Sequence, residues 1–433
     1  MMSNIVQKDA GIIVMHNIFW FRNNFRLSAN EPLLQCLKNS TSLSFIHIIN
    51  PKINELNNEL NLEGNKKNLF YLRALIELEK KLQKKGHKLY IFHGEPKEVF
   101  AQIMMGNKIN EVYAEKIYAP YELEEENIGI HTNFIWDSTL INESDLPFAI
   151  NELPDTFTTF RKQIENNKIR VFSEDTPKFP SKTNLKEVKE FKLPLLPEFM
   201  FTGSVEFLND YPISEEGANR YVDDYFSTQK PSTYKSTRNE LSGMNFSTKF
   251  SVWLSLGFIS VKQVFNKLKE YESLNGENES TYWIYFELLW RDYFRFLHIK
   301  YNKQLYLKNG LERNLQRINY SNENIPLINS ANTNSTFINA AINELKESGF
   351  LSNRMRQILA SFIVNEMNID WRWGADFFQK FLIDFDIYSN QGNWIYIAGF
   401  GTDPRGGRKF NIVKQKKMYD PNNQYENKWN ENT

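Results

Sequence analysis

Acids, amides and indoles recur at close spacing in the second half of this 433-residue chain. In Trp283-Ile-Tyr-Phe-Glu287-Leu-Leu-Trp290-Arg291-Asp292-Tyr293-Phe294, helical spacing puts Trp283, Glu287, Trp290 and Phe294 on one face. A carboxylate between two indoles is costly when buried without partners, so such a site would use it. An exposed Glu287 paired with Arg291 at i,i+4 is the competing reading. In Ser352-Asn353-Arg-Met-Arg356-Gln357-Ile-Leu-Ala-Ser361, the residues Asn353, Arg356, Gln357 and Ala360 form one stripe of an otherwise apolar helix. Its arginine therefore wants an anionic partner. Asp384 and Asp386 follow an apolar helix and precede Ser389-Asn390-Gln-Gly-Asn-Trp394. Paired carboxylates could be general acid and base, metal ligands or partners of Arg356. The lack of histidine neighbours argues against a metal.

Two further stretches carry charge. Tyr234-Lys-Ser-Thr-Arg-Asn239 is followed by Ser247-Thr248-Lys249-Phe250-Ser251. Ser247 suits the N-cap of a helix carrying Trp253 and Leu254. Free backbone N–H groups there, beside Thr248, Lys249 and Ser251, would suit a phosphate. An ordinary capped helix is the plainer reading. Pro404–Met418 holds Arg405, Arg408, Lys409, Lys414, Lys416 and Lys417 and no acid. That is either a local cationic patch or a solvated run.

The elements that must position these groups follow from periodicity. Short apolar runs at Val14–Phe21, Leu43–Ile49, Leu89–His93, Glu111–Ala114 and Phe134–Asp137 alternate with amphipathic stretches at Glu31–Lys38, Asn65–Lys84, Pro96–Met104 and Tyr121–Ile128. Such alternation predicts a doubly wound parallel sheet of five strands. It contains no GxGxxG and no GxxxxGK[ST], so it is no evident dinucleotide or P-loop site. A proline-rich connector follows, with one helical insert around Phe157–Asn166. From Gly217 onward long segments, apolar on several faces, predict a large helical domain. The expected division is an α/β domain at 12–137, a connector at 138–214, a helical domain at 215–425 and a flexible tail at 426–433.

Composition narrows the class. Lys+Arg and Asp+Glu number 52 each, which excludes a globally basic nucleic-acid binder but leaves room for a local patch. A lone cysteine, Cys36, excludes a disulfide framework and a Cys-based metal cluster. Aromatic residues at 15% fill cores and can also build stacking surfaces. No stretch approaches the ~18 apolar residues that span a bilayer, and no leader pattern is present. A soluble, cytoplasmic protein is expected, acting as a monomer without metal or membrane.

Taken in order, these motifs resemble the photolyase/cryptochrome family, most closely its cryptochrome-DASH branch. The resemblance rests on Phe19-Trp-Phe-Arg-Asn-Asn24, Leu153-Pro-Asp-Thr-Phe157-Thr-Thr-Phe160-Arg-Lys, Tyr234-Lys-Ser-Thr-Arg-Asn239, Phe286-Glu-Leu-Leu-Trp-Arg-Asp-Tyr293, Gly349-Phe-Leu-Ser-Asn-Arg-Met-Arg-Gln357 and Ser389-Asn-Gln-Gly-Asn-Trp394. It implies a Rossmann-like domain, a connector and a helical domain holding noncovalent FAD. By position, Tyr234, Ser247, Thr248, Lys249, Phe250 and Ser251 would line the diphosphate. Glu287, Arg291 and Asn353 would also touch the cofactor, Arg356 would pair with Asp384, Asp386 would meet the ribose or isoalloxazine edge, and Asn390 would face flavin N5. Glu287 would meet a flipped pyrimidine dimer, with Trp290 as an apolar wall and Asn353 and Gln357 nearby. Trp394 and Trp371 would relay electrons, and Arg405, Arg408, Lys409 and Lys414 would hold DNA phosphates.

The activity so implied is light-driven repair of cyclobutane pyrimidine dimers, chiefly in single-stranded DNA. The alternative is a blue-light receptor with little repair. Four places depart from the pattern. Asn334-Ser-Thr-Phe-Ile-Asn339-Ala340 lacks the usual Pro and acid. Ile117 stands where a glutamate meets a folate antenna, so little or no folate binding is expected. No tryptophan stands near Ile318–Tyr320 as the outer relay, where Tyr320 is the nearest ring. Asn24 and Ala29 replace usual acids.

Overall fold

Strand β1 (His16–Phe21) is buried along its whole length, as is β2 (Ser42–Ile49). Their polar residues His16, Asn17, Ser42, Ser44 and His47 are buried together with the apolar ones. That is the signature of parallel strands covered on both faces. The computed structural model describes residues 16–52, 66–167, 179–186, 188–192, 211–312 and 320–431. With β3 (Leu89–His93), β4 (Val112–Glu115) and β5 (Thr132–Ile135), the strands make a parallel sheet in the order β3-β2-β1-β4-β5. Each predicted strand forms, displaced by at most two residues, although Val14 lies outside the described residues. A two-residue strand, β6 (Ser181–Lys182), was not foreseen. It pairs with Ser42 and Leu43, ahead of the point where β3 joins β2 at Phe45.

Helices α1 (Glu31–Lys38), α2 (Lys66–Lys84), α3 (Pro96–Gly106) and α4 (Pro120–Glu124) connect the strands. The fourth ends short of the predicted Ile128. In the connector, α5 (Phe157–Glu165) starts at Thr156, whose hydroxyl accepts from Thr159 N at 3.4 Å. The helical part runs α6 (Glu215–Phe226), α7 (Lys230–Thr237), α8 (Ser251–Ser255), α9 (Val261–Asn275), α10 (Glu279–Tyr301), α11 (Ile325–Asn329), α12 (Thr336–Ser348), α13 (Asn353–Asn365), α14 (Trp371–Phe381), α15 (Ile387–Ala398), α16 (Ile412–Tyr419) and α17 (Gln424–Asn430). The central member is α10. Asn278 caps it through Ser280 N and Thr281 N, and it packs on α7, α9, α15 and α5.

The expected flexible tail at 426–433 is corrected by α17. Its polar sequence hid two rings, Tyr425 and Trp429, that pack on the core. The Tyr425 hydroxyl donates to Glu344, and Asn343 and Asn430 bind backbone carbonyls of Trp429 and Thr336 at 3.0 Å each.

Two halves meet where β1 and β4 end. Phe25 N donates to Leu256 O at 2.9 Å, and Arg26 Nη1 to Gly257 O at 3.2 Å. Glu215 accepts from the backbone N–H of Leu27 and Ser28. Gly257 has φ +67°, and a Cβ there would lie 2.2 Å from Asn23 O, so only glycine permits this approach.

Candidate functional site

The helices α7 and α10 present Tyr234 and Glu287 side by side. Glu287 is 34% exposed and ion-paired with Arg238, just beyond α7, not with Arg291 as the i,i+4 reading had it. Arg291 points the other way and donates to Ser138 O. Burial, reinforced by the Arg295 charge, lowers its pKa to about 9. Arg238 lies 5.4 Å from the ring of Trp283 and 5.9 Å from that of Tyr234. Burial and the Glu287 carboxylate raise the Tyr234 phenol. Trp290 stacks on Phe157 of α5 at 3.7 Å and 13°, and meets Tyr396 edge-on at 5.6 Å. The connector helix thus packs directly against α10 beside Glu287.

A second group forms where α13 begins. Arg356 Nη2 donates to both oxygens of the buried Asp384, at 2.9 and 2.8 Å. Arg356 also lies 5.0 Å from the ring of Phe350, and the Lys249 ammonium lies 4.6 Å from that same ring and 3.9 Å from Phe246. Lys249 is buried at φ +56° and has no ion-pair partner among the described residues. Burial lowers its pKa to about 7, with Glu344 and Asp384 opposing and Arg356 assisting. Ser247 does not cap α8 as expected. The residue before that five-residue helix is Phe250, and no side chain caps it. Thr248 instead accepts weakly from Phe250 N at 3.5 Å.

The two acids of the Asp384-Phe-Asp386 pair diverge. Asp386 accepts from Arg295 at 2.6 and 3.2 Å and caps α15 through Ser389 N at 2.8 Å. Burial opposes its charge, but Arg295, Arg291 and Ser389 outweigh this and hold it at about 2. Both its oxygens are thus engaged within the protein. Asn390 donates to Ala375 O at 3.0 Å. One turn on, the buried Trp394 packs edge-on to Phe378 at 4.9 Å. Its indole lies so close to Gly374 that a Cβ there would sit 2.3 Å away. Trp371, three residues before Gly374, donates from Nε1 to Lys308 O at 3.0 Å. The Lys308 ammonium is 5.1 Å from the ring of Tyr320. Ile318 lies outside the described residues.

The basic stretch is less free than its sequence implies. Asp403, one residue before it, pairs with Arg405 at 3.2 Å and Arg408 at 3.3 Å, and Lys416 pairs with Glu426. Lys409 and Lys414 are exposed. Sequence reasoning missed Arg238, which pairs with Glu287, and Arg354, which feels the charge of Arg238. Arg354 donates to Asn239 Oδ1 at 3.0 Å and lies 5.0 Å from the ring of Tyr419. Both stood inside the quoted motifs, beside residues that were chosen.

At the sheet's switch point a cavity of about 120 Å³ is lined by Trp20, Arg22, His47, Tyr71, Ile117 and Glu122 among others. A polar cavity of about 30 Å³ adjoins it, between Arg26, Glu115, Asp137, Arg291 and Arg295. Ile117 lines both. No group of His, Cys, Asp and Glu among the described residues could hold a metal ion. No helix among them is long and apolar enough to cross a membrane.

Residues 17–181 match the family model for DNA photolyase, and residues 283–432 that for the FAD binding domain of DNA photolyase. Cryptochrome DASH of Synechocystis sp. is 36% identical over 427 residues, covering 95% of this chain and 86% of that protein. The chain belongs to the photolyase/cryptochrome family, in its DASH branch. Cryptochrome DASH, chloroplastic/mitochondrial, of Arabidopsis thaliana is 33% identical over 447 residues, covering 99% of this chain and 77% of that protein. The crystal structure of the Synechocystis cryptochrome aligns with a TM-score of 0.83 and 34% identity over 96% of this chain and 89% of that one. A class III photolyase from Agrobacterium tumefaciens shares the fold, with a TM-score of 0.79 at 21% identity and cover of 97% and 87%. The helical half is therefore an FAD-binding domain of the DASH type. The residues present fit that cofactor. Lys249 is a buried cation with no ion-pair partner among the described residues, and the half-buried Gln357 makes no side-chain hydrogen bond among them.

Proposed function

We propose that the chain repairs cyclobutane pyrimidine dimers in blue light, preferring single-stranded DNA. The supporting observation is the cluster on α10, where the partly exposed Glu287 pairs with Arg238, Arg238 lies against Trp283, and Trp290 is stacked on Phe157. Noncovalent FAD, when bound and reduced, supplies the light-driven electron that opens the dimer ring. Lys249, Ser247, Thr248, Phe250 and Ser251 would hold its diphosphate, Tyr234 its flank, and Arg356, oriented by Asp384, its flavin half, while Arg291 would act indirectly by tying α10 to Ser138 O. Asn390 would meet N5. Asp386 would act from behind, by fixing the start of the helix that carries Asn390. Glu287, Asn353 and Gln357 would bind the extruded bases against Trp290. A dimer stacks poorly and extrudes at low cost, lowest in a single strand. Lys409 and Lys414 would hold phosphates of the strand, with Arg405 and Arg408 contributing less because Asp403 already pairs with them.

Blue light on flavin-loaded protein with a thymine-dimer oligonucleotide should remove dimers, faster in single strands than in duplex. Glu287→Gln should slow repair and leave the flavin spectrum nearly intact. No loss of dimers with reduced flavin, at any protein excess, would favour a blue-light receptor built on the same pocket.

Trp394 and Trp371 would feed electrons inward to the flavin, with Tyr320 as a poorer outer station. Trp394→Phe should abolish photoreduction and Trp371→Phe nearly so, whereas Tyr320→Phe should matter less. An unchanged rate in Trp394→Phe would return both indoles to core packing. Folate binding should be weak or absent, because Ile117 has no polar atom and each unpaired pterin donor costs about 1–3 kcal/mol. Stoichiometric folate in the purified protein, seen by its near-ultraviolet absorbance, would contradict this.

A further inference from the structure

Glu287 is already occupied. Its partner Arg238 is 16% exposed, set between the rings of Tyr234 and Trp283, so the pair is a built contact and not a loose surface bridge. Beside it stands Arg354, whose Nε is buried without a hydrogen bond. Arg408, the third cation here, is taken with Arg405 by Asp403. Arg354 feels the charges of both Arg238 and Arg408. Arginines thus outnumber carboxylates at the opening, and Arg238 holds the acid that the repair reading assigns to the substrate.

Resting on that reading, we infer that Arg238 is a latch that changes partners when a strand arrives. A phosphodiester oxygen of the strand takes the guanidinium from Glu287, and the freed carboxylate turns to the extruded base. The exchange suits the chemistry, because a guanidinium fork binds phosphate as readily as carboxylate. One charge-assisted contact is lost and one is gained. The Arg354 guanidinium adds its positive charge beside Arg238. Arg238 is on this account a positioning residue, and Glu287 is released only where a strand is present.

The latch predicts a sign that a simple contact role does not. In the dark, flavin-loaded Glu287→Gln should bind an undamaged single-stranded oligonucleotide about two- to fivefold more tightly than wild type, because nothing competes for Arg238. Arg238→Gln should bind more weakly, with the dependence of log K on log salt reduced by about 0.7. The double variant should bind no more tightly than Arg238→Gln alone, and Arg238→Lys should restore the salt dependence. Equal or weaker binding by Glu287→Gln, or a gain that persists in the double variant, overturns the latch. Should Arg238→Gln lose its flavin, the isosteric Glu287→Gln decides alone. These measurements need no photochemistry, so a latch that works in a protein without repair, or repair without a latch, is each recognisable.

Discussion

Asp386, half-buried beside the polar cavity between the halves, and the buried Lys249 are both charges withdrawn from water, yet the protein treats them in opposite ways. Asp386 has both oxygens filled by Arg295 and Ser389, and its charge is held down to about pH 2. Lys249 faces two phenylalanine rings, and burial brings its pKa to about 7. The first charge is answered from within the chain and serves folding. The second has no ion-pair partner among the described residues, feels Glu344 and Asp384 only at longer range, and costs the flavin-free fold stability. Pairing, more than residue type, separates the structural ion from the functional one.

The hardest test of this contrast is Asp384→Ala. It leaves Arg356 without its carboxylate beside an already unpaired Lys249. Loss of about 3 kcal/mol is expected, at the low end for a buried pair because Arg356 is 23% exposed, together with loss of flavin. Chemical denaturation and visible absorbance check both. A variant that keeps its flavin would mean Arg356 finds its counter-charge elsewhere.

Lys249→Met should act with opposite signs on two states. The flavin-free protein gains about 1 kcal/mol by losing an uncompensated ammonium, while FAD affinity falls. The pH dependence follows from the same shift. Folded Lys249 releases its proton near pH 7, whereas the unfolded side chain keeps it to about 10.4. Between these values the unfolded chain binds more protons, so flavin-free wild type should grow more stable as pH rises from 7. The Met variant should lack that slope. If thermal melts show the same slope in both, Lys249 is not the responsible group.

The smallest effect sharpens the reading of the basic stretch. Lys414→Ala should reduce the salt dependence of single-strand binding by about 0.7, whereas Arg405→Ala should change it less because Asp403 already pairs with that arginine. Equal effects would show that the Asp403 pair opens on binding.

Much of this was legible in the sequence because periodicity and motif order are local. Strands β2 and β3 and helix α1 fall within a residue of their expected bounds. The need of Arg356 for an anionic partner is legible in its stripe, but that Asp384 rather than Asp386 supplies it is what the family resemblance implies. What escaped was set by distant partners. Nothing near Glu287 in sequence names Arg238, 49 positions away. Asp403 lay just outside the window drawn around the cations it neutralises. Ser247 looked like a cap, but Lys249 takes a left-handed turn that starts the helix later. The polar last helix was read as frayed because only Tyr425 and Trp429 anchor it.

The contact between Arg26 and Gly257 joins positions 231 residues apart. During synthesis the β-sheet leaves the ribosome long before Leu256 and Gly257 exist. At roughly 5–20 residues per second, the 231 residues between Arg26 and Gly257 take on the order of 10–50 s. Through it, Phe25 N and the Arg26 guanidinium lack the carbonyls that later receive them, and Glu215 arrives only shortly before. The nascent sheet must therefore wait with one end unfinished, and docking of the helical half is the step that completes it. A chain stalled before residue 257 should be cleaved by protease around Asn23–Ser28, and one released beyond it should resist.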